Sequence, residues 1–417
     1  MIVTPQDANE AARLTDGRRK EDARERESVR VLKPRRAAPA DAVRPTRAEI
    51  NLAALRHNLR VLARHADTAH LWPVLKADGY GHGAPAVART LERAGANGFC
   101  VALLEEAVEL FEAGIRKPIL VMGGYYGGAY GEILERGFVP VVYDEAQVEG
   151  LARAAREVGR QVDVHLKVDT GMARLGVPLR DVEAFAACLA EYPEIKVTGL
   201  MTHLACADGD VSATAEQMAR FDDATARLAR VGIAPQVRHA GNSAALLRGD
   251  AVLDAVRPGI AIFGVSPRLD ATKAALSTEL RAVMRVRSEI IDIRTVETGQ
   301  PVGYGALFRA ERPTRIATIA MGYADGLSRH LSNRGHVLVH GKRSPLVGAV
   351  SMDMSMIDVT DIPGVEIRDE VVVLGSQDGP LGKDAINAEE IAAHAGTIPW
   401  EILTSISRRV PRFYREP

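Results

Sequence analysis

The sequence is poor in cysteine, with only Cys100, Cys188 and Cys206 among its 417 residues. An odd number this widely spaced argues against a disulfide framework or a zinc knuckle and suits a reducing compartment, the cytoplasm. Also missing is any apolar run near the roughly 18 residues that a membrane-crossing helix requires. Charge of one sign is missing too. The 53 basic and 54 acidic residues nearly cancel, so no overall field draws the chain to nucleic acid or an anionic membrane. A small-molecule partner is the expectation that remains.

The first 48 residues differ from the rest. They hold 12 Lys/Arg and 8 Asp/Glu with no apolar segment, so they read as a disordered extension over 1–43 rather than a secretory signal. From about residue 50, short β-rich runs alternate with amphipathic helical stretches such as 104–114 and 146–158. The candidate strands are 71–78, 97–102, 117–124, 138–144, 161–171, 196–205, 235–243 and 255–264. Eight β-α units over some 200 residues predict an α/β fold, an N-terminal (β/α)8 TIM-like barrel over 44–280. A doubly wound open sheet is the alternative, but no GxGxxG follows the first strand. After residue 280, β-branched residues and glycines in TRIATIAMGY, GHVLVHG and VVVLG predict a mainly antiparallel β domain over 281–417, with a short helix near 388–396.

Within VLKADGYGHG (74–83), Lys76 ends an apolar run and meets a glycine-rich turn carrying Tyr80 and His82. An ammonium where a sheet core meets a loop is either paired or kept for chemistry that uses a depressed pKa, such as a Schiff base with a carbonyl cofactor. In QVDVHLKVDTG, alternation puts Asp163, His165, Lys167 and Asp169 on one face, so Lys167 points into the barrel. There it needs an anion such as Asp169 or Asp163, loss of its proton, or covalent alteration. Alternatively, Lys167 orients Arg174. The ends of strands seven and eight carry Gly241, Asn242 and Ser243, then Arg257, Pro258, Gly259 and Ile260, where barrels often hold phosphate. His203, at the end of strand six, reads as a core histidine or a catalyst. Tyr304 and Tyr323 stand beside glycines that allow close approach of a ligand, or are structural. Met352 and Asp353 fit a strand edge equally well.

Taken in order, these strings resemble the alanine racemases, pyridoxal-phosphate enzymes of fold type III, from about Arg44 to Arg412. RPTRAEINLAALRHNL resembles the family's opening, VLKADGYGHG its lysine motif and LKVDTGMARLG its second motif. GNSAA, RPGIAIFG, VGYGA, MGYADG, SMDMS and RRVPR follow in matching order. The resemblance implies that Lys76 binds pyridoxal 5'-phosphate covalently and exchanges the α-proton on the D face. Tyr304, from the other subunit of a homodimer, would do so on the L face. Tyr80, Ser243, Gly259 and Ile260 would hold the phosphate, with Asn242 also at the cofactor. Arg257 would donate to the pyridine nitrogen, and His203 would link Arg257 to Tyr304. Arg174 would contact the phenolic oxygen and the substrate carboxylate. Lys167 matches a lysine that is commonly N6-carboxylated. Met352 and Asp353 would enter the partner's active site.

Two positions depart from the family pattern. Trp400 stands where a phosphate-contacting tyrosine is usual, and Arg47 where an aromatic is common. The implied function is interconversion of L-alanine and D-alanine for peptidoglycan, with no metal. Trp400 motivates a rival, a racemase of broader scope or one that prefers serine. A decarboxylase of related fold is disfavoured by Tyr304, where that group has cysteine. A non-catalytic pyridoxal-phosphate carrier would resemble the barrel alone.

Overall fold

The computed structural model describes residues 42–123, 128–267 and 279–416. The expectation for the N-terminal extension falls, up to residue 41, outside the described residues.

All eight expected barrel strands form, each shorter than its apolar run. They are His70–Leu71, Phe99–Val101, Ile119–Val121, Val139–Val142, Val162–Asp169, Ile195–Met201, Val237–His239 and Ala255–Val256. The second to seventh pair in parallel, in chain order. The eighth pairs in parallel with the first, and Val74 bridges Cys100 of the second. Backbone bonds from Asp254 N–H to the Arg238 carbonyl and from Arg257 N–H to the Gly241 carbonyl join the last two. The ring is thereby closed. Full burial of Phe99–Val101 and Ile119–Val121 explains their continuous apolar character. The expected helices appear as Leu104–Glu112 and Glu145–Glu157. Asp144 caps the latter by accepting from Ala146 N–H at 3.0 Å.

The second domain is built on Met284–Val296, a 13-residue strand with a register shift between Ile290 and Asp292. That bend lets it pair with Thr314–Ile319 at one end and Glu370–Gly379 at the other. His336–Val339, Lys342–Val347 and Ser355–Asp358 complete an antiparallel ring between those two strands. The helix expected near 388–396 spans Ala388–Ala395.

Arg47–Asn51 joins this second sheet rather than the parallel ring. It runs antiparallel to Met284–Val296 and parallel to Arg412–Arg415. The buried Glu49 carboxylate holds it there, accepting from Arg285 Nη1 at 3.0 Å, Arg287 Nε at 2.9 Å and Arg415 Nη2 at 2.5 Å. No sequence period signals this exchange, because the strand is specified by charges more than 230 residues away. Arg47 lays its guanidinium over the Phe413 ring at 5.0 Å. From Asn51, which accepts Ala54 N–H at 2.8 Å, the chain enters helix Leu52–Ala66 and buries Leu55, Leu59 and Leu62 against the barrel. Each such leucine contributes roughly 1.5–3 kcal/mol.

Candidate active site

Lys76 follows the buried Leu75 and opens the short helix Lys76–Tyr80 at the C-terminal end of the first barrel strand. The loop is left-handed through Ala77 (φ 51°), Asp78 (φ 58°), Gly79 (φ 60°) and Tyr80 (φ 53°). For the residues with a Cβ this costs about 1–2 kcal/mol each, and strain of this kind persists only where the surroundings over-determine it. Here they do. Glu106 accepts from Ala77 N–H at 2.6 Å and from Ala102 and Leu103 N–H, while Asp78 Oδ1 accepts from Ala84 N–H at 2.7 Å. His82 is fully buried, stacks on Phe263 at 4.3 Å, and its Nδ1–H donates to the Gly79 and Tyr80 carbonyls. Burial drives its pKa down to about 3, so it is a neutral wedge under the loop.

The Lys76 side chain reaches an open cavity of about 520 Å³. Around it stand Tyr80, His203, Asn242, Ser243, Arg257, Gly259, Ile260 and Trp400, all marked out by the sequence. Clefts of about 620 and 700 Å³ lie elsewhere, but only this one gathers a lysine, an arginine, a histidine and hydroxyls. No carboxylate lies within ion-pair distance of Lys76 among the described residues, so the paired reading fails. Loss of hydration, then repulsion from Arg174, lowers its pKa.

Lys167 is 5% exposed and also unpaired among the described residues. Asp163 is exposed at the far end of the strand, and Asp169 Oδ1 instead accepts from Gly171, Met172 and Ala173 N–H. Burial, with Arg174, Arg257 and Lys76 nearby, brings Lys167 down to about 8 despite Asp169. Lys76, Lys167, Arg174 and Arg257 thus form a group of four cationic side chains, none of which has a carboxylate within ion-pair distance among the described residues.

Arg257 is 2% exposed and closely bonded. Its Nη1 donates to His239 Nδ1 at 2.6 Å and to the His239 carbonyl at 2.9 Å. Its Nη2 donates to the Thr202 carbonyl at 2.8 Å and the Ala240 carbonyl at 3.1 Å, with His203 Nδ1 at 3.5 Å. A guanidinium can only donate, so His239 Nδ1 is unprotonated and Nε2–H donates to His165 Nδ1 at 2.8 Å. Burial and then Arg257 hold His165 and His203 at about 3, and His239 well below its ordinary value. Desolvation lowers Arg257 only to about 10, so it stays charged. Nε makes no hydrogen bond among the described residues and is left for a ligand.

Ser243 Oγ accepts from Gly259 N–H at 2.9 Å and Ala261 N–H at 3.3 Å, while Asn242 Oδ1 caps Ala244 and Ala245. Ser243 N–H and Ile260 N–H remain without partners among the described residues. A Cβ on Gly259 would lie 2.4 Å from the Tyr80 hydroxyl, so backbone and phenol converge there as no other residue would allow. These donors fit a phosphate, Arg257 Nε fits a ring nitrogen, and Lys76 fits an aldehyde. The pocket thus suits pyridoxal phosphate.

Tyr304, Met352 and Asp353 do not line this cavity. Tyr304 is 71% exposed between Gly303 and Gly305, both at positive φ, and Met352 is 52% exposed. Met352 and Asp353 lie in a bend before strand Ser355–Asp358, not on a strand edge, and Asp353 accepts from Arg409 Nη2 at 2.6 Å. Sequence reasoning missed Glu106, His165 and His239 as site residues. The inward face of the fifth strand offered a signal for His165, whereas nothing local marks Glu106.

Family models for the alanine racemase N-terminal domain and C-terminal domain match residues 50–267 and 283–414. The chain is 61% identical over 384 residues to an alanine racemase of Sorangium cellulosum (strain So ce56), across 90% of this chain and 100% of that one. The crystal structure of alanine racemase from D-cycloserine producing Streptomyces lavendulae matches with a TM-score of 0.83 at 36% identity, covering 90% of this chain and 98% of that one. Alanine racemase from Bartonella henselae, solved with covalently bound pyridoxal phosphate, matches at 0.79 and 31%, covering 89% and 99%.

Proposed function

The chain belongs to the alanine racemase family, and from that premise we propose that Lys76 and Tyr304 of the partner subunit are its two proton-exchanging groups. The enzyme interconverts L-alanine and D-alanine with pyridoxal 5'-phosphate. When bound, the cofactor withdraws electrons from the substrate's α-carbon and acidifies its C–H bond. Lys76 would hold the cofactor through Nζ, and the same amine would exchange the α-proton on the D face. Tyr304 of the partner subunit exchanges it on the opposite face. A proton removed from one face and returned on the other inverts the centre.

The single observation that carries this reading is the convergence on one cavity of Lys76, the Ser243–Gly259–Ile260 donors and the free Arg257 Nε–H. Tyr80, Ser243, Gly259 and Ile260 hold the phosphate in this reading, joined by Asn242 and Trp400 at the cavity wall. Arg257 donates a hydrogen bond to the ring nitrogen without giving up its proton, which keeps the electron sink weak and disfavours side reactions. His203 couples Arg257 to the tyrosine, and Arg174 takes the substrate carboxylate.

Lys167 carries an N6-carboxy group in this proposal. Its neutral amine adds carbon dioxide and releases one proton, which turns a buried cationic group into an anion able to hold Arg174. The exposed Tyr304, Leu307, Tyr323, Met352 and Met354 support a homodimer in which Met352 and Asp353 reach the partner's cavity. The proposed division is a cofactor barrel over 44–280 and a β domain over 281–417 that borrows strand Arg47–Asn51. Free Cys100, Cys188 and Cys206, with no described helix long and apolar enough to cross a membrane, support a cytoplasmic enzyme feeding peptidoglycan synthesis. The relatives favour alanine over the serine-preferring reading. The matched second domain sets the chain apart from a carrier built on the barrel alone.

Either alanine enantiomer, incubated with the purified enzyme and cofactor in heavy water, should become a racemate carrying deuterium at the α-carbon. Failure to interconvert would refute the assignment.

A further inference from the structure

The second domain holds a cluster of metal-ligating side chains that racemisation does not use. His336 opens strand His336–Val339, while Glu390 and His394 sit on helix Ala388–Ala395. A spacing of four residues puts Glu390 and His394 on one helix face. One ring nitrogen of each histidine and one Glu390 oxygen lie within 4.8 Å of one another. The three border a cavity of about 10 Å³ walled by Leu327, Leu331, Val373 and Ile391, room for one occupant the size of a water molecule. His336 Nδ1 is buried and has no hydrogen-bond partner among the described residues.

We propose that His336, Glu390 and His394 bind one zinc-class divalent transition-metal ion per chain. Two imidazoles and one carboxylate leave a fourth position for water, the donor set that suits zinc and its neighbours rather than calcium or magnesium, which take oxygen ligands. Metal–ligand bonds of about 2.0–2.2 Å place ligand atoms roughly 3.3 Å apart, so side-chain rotations on the order of 1 Å close the site.

Arg343 is the competitor. Its Nη1 and Nη2 bond Glu390, and its Nε bonds Asp384 Oδ2 at 2.7 Å. An ion that takes one Glu390 oxygen leaves the guanidinium the other oxygen and Asp384, so no charge is stranded. Helix Ala388–Ala395 leads through Gly396 into Pro399–Ser405, which carries Trp400 into the cofactor cavity. An ion at the cluster fastens the helix that precedes this wall to the β domain.

The test uses holoenzyme treated with EDTA, desalted, and titrated with zinc(II) or cobalt(II). One zinc per chain by elemental analysis is expected, with cobalt(II) acquiring the visible ligand-field absorption of a four-coordinate nitrogen and oxygen site. His336→Gln and His394→Gln, checked by circular dichroism, should each weaken zinc binding about tenfold or more and remove the cobalt band. Arg343→Gln should tighten binding by releasing Glu390. Absence of the cobalt band in the unmutated enzyme would overturn the proposal whether or not the variants fold. So would zinc affinity unchanged in both histidine variants.

Discussion

The barrel cavity and the Tyr304 loop of the second domain are both parts of the proposed machinery, yet they are built in opposite ways. Around Lys76 and Arg257 the framework is held from within the chain: the strained lysine loop is pinned by Glu106 and Asp78, and the Arg257 Nη groups are locked by His239, Thr202 and Ala240. Tyr304 stands 71% exposed on a turn between two glycines at positive φ, outside the lining of that cavity. The cavity pays for its cofactor geometry with stability from its own chain. The tyrosine loop acquires its purpose only against another chain, so cofactor binding and proton transfer should be separable by mutation.

The largest effect should come from Lys76→Ala, which removes cofactor attachment and one proton-exchanging group together. Racemisation should fall by on the order of 10⁴-fold or more, with loss of the absorbance of attached cofactor. Tyr304→Phe should cost roughly 10²–10⁴-fold in turnover while that absorbance is unchanged, as for a general acid-base group that does not hold the cofactor. Unfolding and refolding the two inactive variants together tests whether they meet across chains. Half of randomly formed dimers would then hold one intact site of two, restoring about a quarter of wild-type activity. No recovery from correctly refolded mixed dimers would place Tyr304 and Lys76 in the same chain's site and end the comparison.

Gly259→Ala probes the rigidity of the cavity. Its Cβ would sit 2.4 Å from the Tyr80 hydroxyl, so the phenol must move, and cofactor affinity should weaken about tenfold, or about 1.4 kcal/mol. Equilibrium dialysis of the cofactor would measure this, and an unchanged Kd would show that Tyr80 is not held as described.

The effect with least bearing on activity at neutral pH is on acid stability. Burial, then Arg257, holds His165 and His203 at about 3 against an ordinary 6.5. Between those values the unfolded chain binds protons that the folded chain refuses. The contribution to stability is therefore complete above pH 6.5 and declines as pH falls toward 3. His165→Gln should flatten this decline in urea titrations at successive pH values. An equal slope in the variant would mean that His165 is not held neutral by the barrel.

Much of this was legible in the sequence. The alternation of β-rich runs and helices located all eight barrel strands, because the repeat needs only local periodicity. The glycines of the 74–83 segment announced a special turn, and Ser243, Arg257 and Gly259 stood where strand-end loops hold phosphate. Less legible was Arg47–Asn51, whose place in the second sheet depends on Glu49 meeting Arg285, Arg287 and Arg415. The expected partners of Lys167 were equally opaque, since Asp169 is taken by the backbone of its own turn. Adjacent charges in a sequence suggest a pair, but which acceptor is already occupied is a three-dimensional matter.

By itself the sequence determined the order of elements, the identity of the lysine loop and the family of the enzyme, because these rest on residue type and spacing along the chain. Only the tertiary structure decided that Lys76, Ser243, Gly259 and Trp400 share one cavity, that His165, His203 and His239 are kept neutral, and that Arg257 has one donor to spare. The physical reason is that desolvation, charge repulsion and hydrogen-bond saturation depend on neighbours brought together from distant parts of the chain. For Tyr304, a second chain is the neighbour still to be supplied.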